Sequence, residues 1–325
     1  MRRREFIAAW PALLVLPGIG FAQPQSAAVR TVAWFGVGHA DDASPYLDAL
    51  RARLRELGWI EGRNLVLKTF WAIGRPDMDS IAPLILAAQP DLIICQELLV
   101  YALLPLKPQM PVVFGFSGDP VQGNLVQSLA RPNTRYTGMS YLAIDLIGKR
   151  LEFLKEWLPQ TSHVAILAHP QHPGEDRERR ATQEAGAQLG MAVSYFPFRE
   201  TAEFEAQFTA IRNAKCDGLV VFPDSTMFTL TQRIAEIALA ARLPSVSGWT
   251  PFARNGLLLS YGPNIRQIYR GLAAYADAIL RGARPEELPV QLPTTFELAL
   301  NLRTARALGL TPPTALLARA DEVIE

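Results

Sequence analysis

The sequence predicts an α/β protein made of two doubly wound parallel-sheet lobes, and three observations carry that prediction. Short apolar runs alternate with amphipathic stretches, the pattern of strands buried on both faces beneath covering helices. The alternation occurs twice: residues 31 to 116 read strand, helix, strand, helix, strand, helix, strand, and residues 145 to 248 open on a helix and repeat the order. No low-complexity linker divides the two passages, so two lobes of about 100 residues each would face one another across a cleft.

The first passage supplies the strands TVAWFGV (31 to 37), NLVLKTFWA (64 to 72), DLIICQ (91 to 96) and PVVFGF (111 to 116). The second supplies HVAILA (163 to 168), AVSYFPF (192 to 198), GLVVFP (218 to 223), LPSVSG (243 to 248) and GLLLSY (256 to 261). Between them, SPYLDALRARLRELGW sets Leu47, Leu50, Leu54 and Leu57 at helical spacing and stops at Gly58. DMDSIAPLILAAQ, DLIGKRLEFLKEWLP, DRERRATQEAGAQLG, EFEAQFTAIRNAK, TLTQRIAEIALAAR and IRQIYRGLAAYADAILRG read as further helices.

The bulk composition bounds the function. At 325 residues, 49% apolar and 19% charged, the chain is long enough for one large domain or two ordinary ones with real cores. With 32 Lys and Arg against 31 Asp and Glu it has no basic surplus to neutralise phosphates, and nucleic acid is not an expected partner. Residues 1 to 22, MRRREFIAAWPALLVLPGIGFA, read as an export signal: a basic start, an apolar run, and small residues before a cut near Gln23. Arg3-Arg4-Glu5-Phe6-Ile7 resembles a twin-arginine signal; an arginine-rich secretory signal is the alternative. Pro11 and Pro17 break the run, and no later stretch reaches the ~20 residues of a membrane span. Cys95 and Cys216 are expected as free, buried thiols in different halves, with a disulfide left open in an oxidising compartment.

In such sheets ligands sit beyond the carboxyl ends of the strands, which singles out the residues that follow each one. His39, Gln96, Glu97, Phe116, Ser117, His169, Asp224, Ser225, Trp249 and Tyr261 stand there, with Ser140 and Tyr141 where the chain leaves the first passage. Gly36-Val37-Gly38-His39-Ala40-Asp41 opens like a dinucleotide fingerprint, but Asp41 takes the place of the third glycine and would repel a pyrophosphate. The simpler reading is a tight turn whose Asp41, Asp42 or Ser44 caps the next helix. The histidines 39, 163, 169 and 172 have no metal-ligand spacing; His39, His169 and His172 follow strands in different halves and could meet across the cleft. No GxSxG elbow occurs, and Asp119 before Pro120 reads as a turn. Asp224 has two compatible roles: capping the TLTQRIAEIALAAR helix, and holding a ligand's ammonium group. In the second role Asp224→Asn would weaken binding more than about tenfold and cost little stability. Phe116, Tyr141, Trp249 and Tyr261 are the candidate apolar walls.

The carboxyl-terminal third, GLLLSYGPNIRQIYRGLAAYADAILRGARPEELPVQLPTTFELALNLRTARALGLTPPTALLARADEVIE, resembles the ABC transporter substrate-binding protein family of the tryptophan/tyrosine-binding type. FWAIGRPDMDSIAPLILAAQPDLIIC, PVVFGFSGDPVQGNLVQSLARPNTRYTGMS and the spacing of LRELGWIEGRNL agree with it. The resemblance implies a type I periplasmic binding-protein fold whose lobes, 29 to 140 with 262 to 284 and 141 to 261 with 285 to 325, are joined by three crossings. These would fall near Gly138 to Tyr141, Tyr261 to Asn264, and Ala283 to Pro289. It implies a periplasmic monomer that captures an amino acid or related small aromatic, uses no cofactor, and delivers its ligand to a permease in the inner membrane. A sensor subunit serving a receptor, or an exported enzyme with its site in the cleft, are the alternatives. By position Asp224 matches the residue suited to the ligand's ammonium group, and Ser117 and Gln96 match the first-lobe lining. The sequence departs from the pattern at Gln96-Glu97-Leu98, where relatives commonly carry small residues whose amides bind a carboxylate. Glu97 would oppose such a carboxylate unless it turns away to cap its helix.

Overall fold

The computed structural model describes residues 28–39, 44–73 and 75–325; residues 1 to 22, expected from the sequence to be an export signal, and Asp41 and Asp42 lie outside them. Five strands, β1 (Arg30–Val37), β2 (Leu65–Ala72), β3 (Leu92–Gln96), β4 (Val112–Phe116) and β5 (Tyr136–Ser140), pair in parallel in the order β2-β1-β3-β4-β5. The second sheet holds β6 (His163–Ala168), β7 (Ala192–Pro197), β8 (Gly218–Val221), β9 (Ser245–Ser247), β10 (Leu259–Pro263), β11 (Phe296–Asn301) and β12 (Glu322–Ile324). Its order is β12-β11-β10-β9-β8-β6-β7, parallel throughout except for the antiparallel β10–β11 pair. The first lobe carries helices α1 (Pro45–Glu56), α2 (Arg75–Ala87) and α3 (Val100–Leu103). The second carries α4 (Ile147–Trp157), α5 (Glu175–Gln188), α6 (Phe204–Asn213), α7 (Ser225–Thr229), α8 (Thr231–Ala240) and α9 (Thr250–Arg254), with α11 (Leu302–Leu308) and α12 (Thr314–Arg319) after β11.

Local chemistry explains the main elements. Ser44 caps α1, its hydroxyl accepting from the Leu47 amide at 3.2 Å, with Pro45 in the first turn. Asn264 does the same for α10 (Ile265–Leu280), accepting from Gln267 N at 2.8 Å. That helix buries Ile265, Ile268, Tyr269, Leu272, Tyr275, Ala276 and Ile279, a stripe at helical spacing, and lays it against α1 and strands β3, β4 and β5. The chain thus leaves the second sheet at Pro263, covers the first, and returns to the second at Phe296.

Several details differ from the sequence expectation. The TLTQRIAEIALAAR stretch is two helices, α7 and α8, so Asp224 caps the short α7 rather than the longer helix. The strand β5 was hidden because YTGMS has no apolar run, although all five residues are buried. The last passage between lobes comes later than Ala283 to Pro289: Gln291 N donates to Gly138 O at 2.9 Å and Ser140 N to Gln291 O at 2.9 Å, so residues up to Gln291 still line β5. Cys95 and Cys216 are both free and buried, one in each sheet's half.

The lobes are in contact. Tyr46 of α1 meets Phe228 of α7 with ring centroids 5.5 Å apart. On another edge Arg177 of α5 pairs with Asp119, after β4, at 2.8 Å. Between these, the backbones of Gly118 and Gly174 come so close that a Cβ on Gly174 would lie 3.0 Å from Gly118 Cα. Gly174 sits at φ 82°, and both features call for glycine there.

Candidate ligand-binding site

Where the carboxyl ends of the two sheets face each other, a cavity is lined by Val37, Ser44, Tyr46, Trp71, Gln96, Glu97, Tyr141, Ser225, Phe228, Trp249, Ile265 and Tyr269. It contains about 480 Å³ of atom-free space, part of it continuous with solvent. Six of these twelve residues are aromatic, and the lining includes no Lys, Arg or His. The rings form an unbroken chain of edge and tilted contacts across the cleft: Trp34–Tyr269 at 5.6 Å, Tyr269–Tyr46 at 5.3 Å, Tyr46–Phe228 at 5.5 Å, Phe228–Trp249 at 6.3 Å and Trp249–Tyr141 at 5.7 Å. Tyr141 is held against the first sheet because Gly115 has no side chain; a Cβ there would lie 2.2 Å from the Tyr141 hydroxyl.

Four buried polar atoms on the lining have no partner: Trp71 Nε1, Glu97 Oε1, Tyr141 Oη and Ser225 Oγ. Buried polar groups in proteins are nearly always paired, so unpaired ones around a cavity mark atoms that a ligand can satisfy. Glu97 is the carboxyl of the set. Its Oε2 accepts from Ser117 N at 3.1 Å and from Ser117 Oγ at 2.6 Å. Burial pushes its carboxyl up to about 8, against the opposing pull of His172 and the Ser117 hydrogen bonds. Glu97 therefore does not turn away to cap its helix. It bridges to Ser117 with one oxygen and leaves the other free, on a backbone at φ 49°.

Behind this lining runs a buried relay of charges in the second lobe. Arg150 Nη1 donates to Glu178 Oε1 at 3.1 Å, Glu178 Oε2 holds His172 Nε2 at 2.8 Å, and His172 Nδ1 lies 3.8 Å from Asp224 Oδ2. Burial works against a charged imidazole, but the Glu178 hydrogen bond and the carboxylates of Glu178, Asp224 and Glu97 raise His172 to about 9. Asp224 Oδ1 accepts from Thr226 N at 2.6 Å and Met227 N at 2.9 Å, which is the helix cap the sequence implies. Burial raises the Asp224 carboxyl and lowers His169.

The structure brings together five of the twelve sequence candidates, Gln96, Glu97, Tyr141, Ser225 and Trp249, on one cavity wall. Asp224 is fully buried behind Ser225 and turns its second oxygen toward His172, so it does not line the cavity. Ser117 supports Glu97 from behind, and Ser140 Oγ accepts from Leu142 N at 3.2 Å; both face a separate crevice beside Asp119 and Arg177, with about 800 Å³ of atom-free space, part of it continuous with solvent. Phe116 packs into the first-lobe core against Phe114 and Tyr101. Tyr261 is turned into the second-lobe core, 5.0 Å from Phe153 and 6.3 Å from Phe296, while its carbonyl accepts from Arg150 Nε at 2.9 Å. His39 is exposed at the end of β1, and His169 lines another interlobe crevice with Arg199 and Thr226.

Sequence reasoning missed Tyr46, Trp71, Phe228 and Tyr269, because the first and last lie inside helices and Trp71 inside a strand, where aromatics read as core. It also missed the relay of Arg150, Glu178 and His172, since neither helix pattern distinguishes an inward charge from an exposed one. Among the described residues no group of His, Cys, Asp and Glu is arranged to hold a metal ion, and no helix is long and apolar enough to cross a membrane.

Comparison with known proteins agrees with this architecture. The structure superposes with a TM-score of 0.83 on the crystal structure of a conserved domain protein from Vibrio cholerae, at 27% identity, covering 91% of this chain and 99% of that one. It superposes at 0.81 on an ABC domain in complex with L-Trp from Streptococcus pneumonia, at 20% identity, covering 91% of this chain and all of the other. A tyrosine-binding protein of Clostridioides difficile is 21% identical over 202 residues, which is 62% of this chain; the match spans only 57% of that relative's length. The model of the family described as ABC transporter substrate binding protein matches residues 46–324. With two facing α/β lobes, a lined cavity between them and a family match over nearly the whole described chain, the protein belongs to the ABC transporter substrate-binding protein family.

Proposed function

We propose that this protein is the extracytoplasmic binding subunit of an ABC importer, and that it captures a small molecule with a flat aromatic part between its lobes. The observation that carries this reading is the ring chain from Trp34 to Tyr141, which crosses from one lobe to the other around a cavity with unpaired polar atoms on its wall. A flat apolar ligand would lie against rings from both lobes, so its contacts stabilise the closed arrangement more than an open one, which is what drives hinge closure. The tryptophan and tyrosine named for similar proteins support an aromatic ligand. The closed form would be handed to a permease in the inner membrane. No cofactor and no chemical step enter this reading, the protein acts as a monomer, and the amino-terminal segment 1 to 22 would direct export.

Native mass spectrometry of the purified protein, followed by denaturation and identification of what is released, tests the reading. An unaltered small aromatic compound, whose re-addition compacts the stripped protein in X-ray scattering, is the expected result. Conversion of that compound into a product, or no compaction on re-addition, would overturn it.

A further inference from the structure

We infer that the cavity selects an organic cation, an aromatic amine or aromatic ammonium compound without a carboxylate, with Glu97 as its counter-ion. The inference rests on the capture reading above and adds the charge of the ligand. Two independent features of the site carry it.

The first is the balance of buried charge. Arg150 answers Glu178, and His172 answers both Glu178 and Asp224 through contacts of 3.1, 2.8 and 3.8 Å, so two cations meet two carboxylates. Glu97 is a third buried carboxyl beside these groups and has no cation of its own. It is 1% exposed, lines the cavity, and keeps Oε1 without a partner. The groups that face it are His172, Asp224 and the phenols of Tyr101, Tyr141 and Tyr269, none of which supplies a second positive charge. An ammonium or charged heteroaromatic nitrogen placed in the cavity completes the balance. An unpaired buried carboxylate is otherwise costly enough to be held protonated.

The second is the nature of the wall. Tyr46, Trp71, Tyr141, Phe228, Trp249 and Tyr269 present rings, and ring faces attract cations at a desolvated site. A ligand carboxylate would find neutral donors alone, Trp71 Nε1, Tyr141 Oη, Ser225 Oγ and Glu97 when protonated, with no cation on the lining to answer its charge. Arg254 and Arg266 line a neighbouring groove beyond Tyr46, and Arg254 is already paired with Glu322 at 2.7 Å.

A cationic and an anionic ligand predict opposite pH dependences. Without ligand the Glu97 carboxyl, pushed up to about 8 by burial, holds its proton near neutrality. A permanent cation binds the ionised form, so one proton leaves the carboxyl for solvent as the cation enters, and affinity rises with pH. A carboxylate instead prefers the protonated form, and its affinity falls with pH.

Titration calorimetry with three probes separates them: tryptamine, phenyltrimethylammonium and L-tryptophan. Both cations are expected to bind at least about tenfold more tightly than L-tryptophan. The affinity for phenyltrimethylammonium is expected to rise about tenfold from about pH 6.5 to about pH 8.5, with proton release visible as a dependence of heat on buffer. In Glu97→Gln both the preference and the pH dependence should disappear; should that variant not fold, the wild-type pH profile alone distinguishes the two charges. Tighter binding of L-tryptophan, an affinity that falls with pH, no binding of either cation, or an unchanged preference in folded Glu97→Gln would each overturn the inference. L-tryptophan that binds tightly and compacts the protein in scattering would leave capture standing while removing the cation. Absence of compaction with every compound, the co-purified one included, would remove capture itself.

Discussion

His172 and Glu97 make the stability of the ligand-free protein depend on pH in a direction that follows from their surroundings. His172 is raised from 6.5 to about 9, so its contribution is fully present below about pH 6.5 and is lost as pH rises through 9. Glu97 is raised from 4.5 to about 8, so its contribution is present below 4.5 and is lost as pH rises through 8. The loss runs from about pH 4.5 to 8 for Glu97 and from about pH 6.5 to 9 for His172, and the two overlap between about pH 6.5 and 8. Thermal melts of the ligand-free protein should therefore shift downward from about pH 6.5 to about pH 9, by an amount of order 3 kcal/mol for His172 at about 1.4 kcal/mol for each pKa unit. His172→Gln should flatten that slope, and a slope unchanged in the variant would show that the imidazole is not held charged. The residue types at these positions were legible in the sequence as strand-end candidates, but their partners were not. Glu178 lies six residues from His172 and Arg150 another twenty-eight from Glu178, and only the packing of α4 on α5 brings them together.

At the scale of elements, most strands and two helix caps were legible where the chain carries a continuous apolar run or a capping side chain. Ser44 before α1 and Asp224 before α7 both cap as their residue types imply. What the pattern could not reveal is where the strand β5 lies, since Thr137, Gly138 and Ser140 interrupt its hydrophobicity, or that the α7–α8 segment breaks at Leu230. The break matters for Asp224. Because it caps a five-residue helix and faces an imidazolium with its other oxygen, Asp224→Asn retains an acceptor for the cap but leaves His172 without its neighbouring charge. Denaturant unfolding should show a loss of about 3 kcal/mol even without ligand. This reverses the sequence expectation of a variant that keeps its stability and loses only affinity.

For the whole molecule, the two-lobe plan was legible because the strand–helix alternation occurs twice, whereas the closeness of the lobes depends on contacts between distant residues. Arg177 and Asp119, each about a third exposed, join the lobes at 2.8 Å. Arg177→Ala should favour an open arrangement and weaken ligand binding by up to about fivefold, more at low salt than at high, since such pairs contribute about 0.2–1 kcal/mol. Affinity that is unchanged across ionic strength would show that the pair does not help hold the lobes together. The two thiols have a further use. Burial pushes Cys95 well above the ordinary range and Cys216 up to about 11, so neither offers a reactive thiolate while the chain is folded. A single cysteine introduced on each rim of the opening can then carry a dye pair attached by maleimide, with the natural sulfurs left in place. Distances between the dyes would report opening and shutting one molecule at a time.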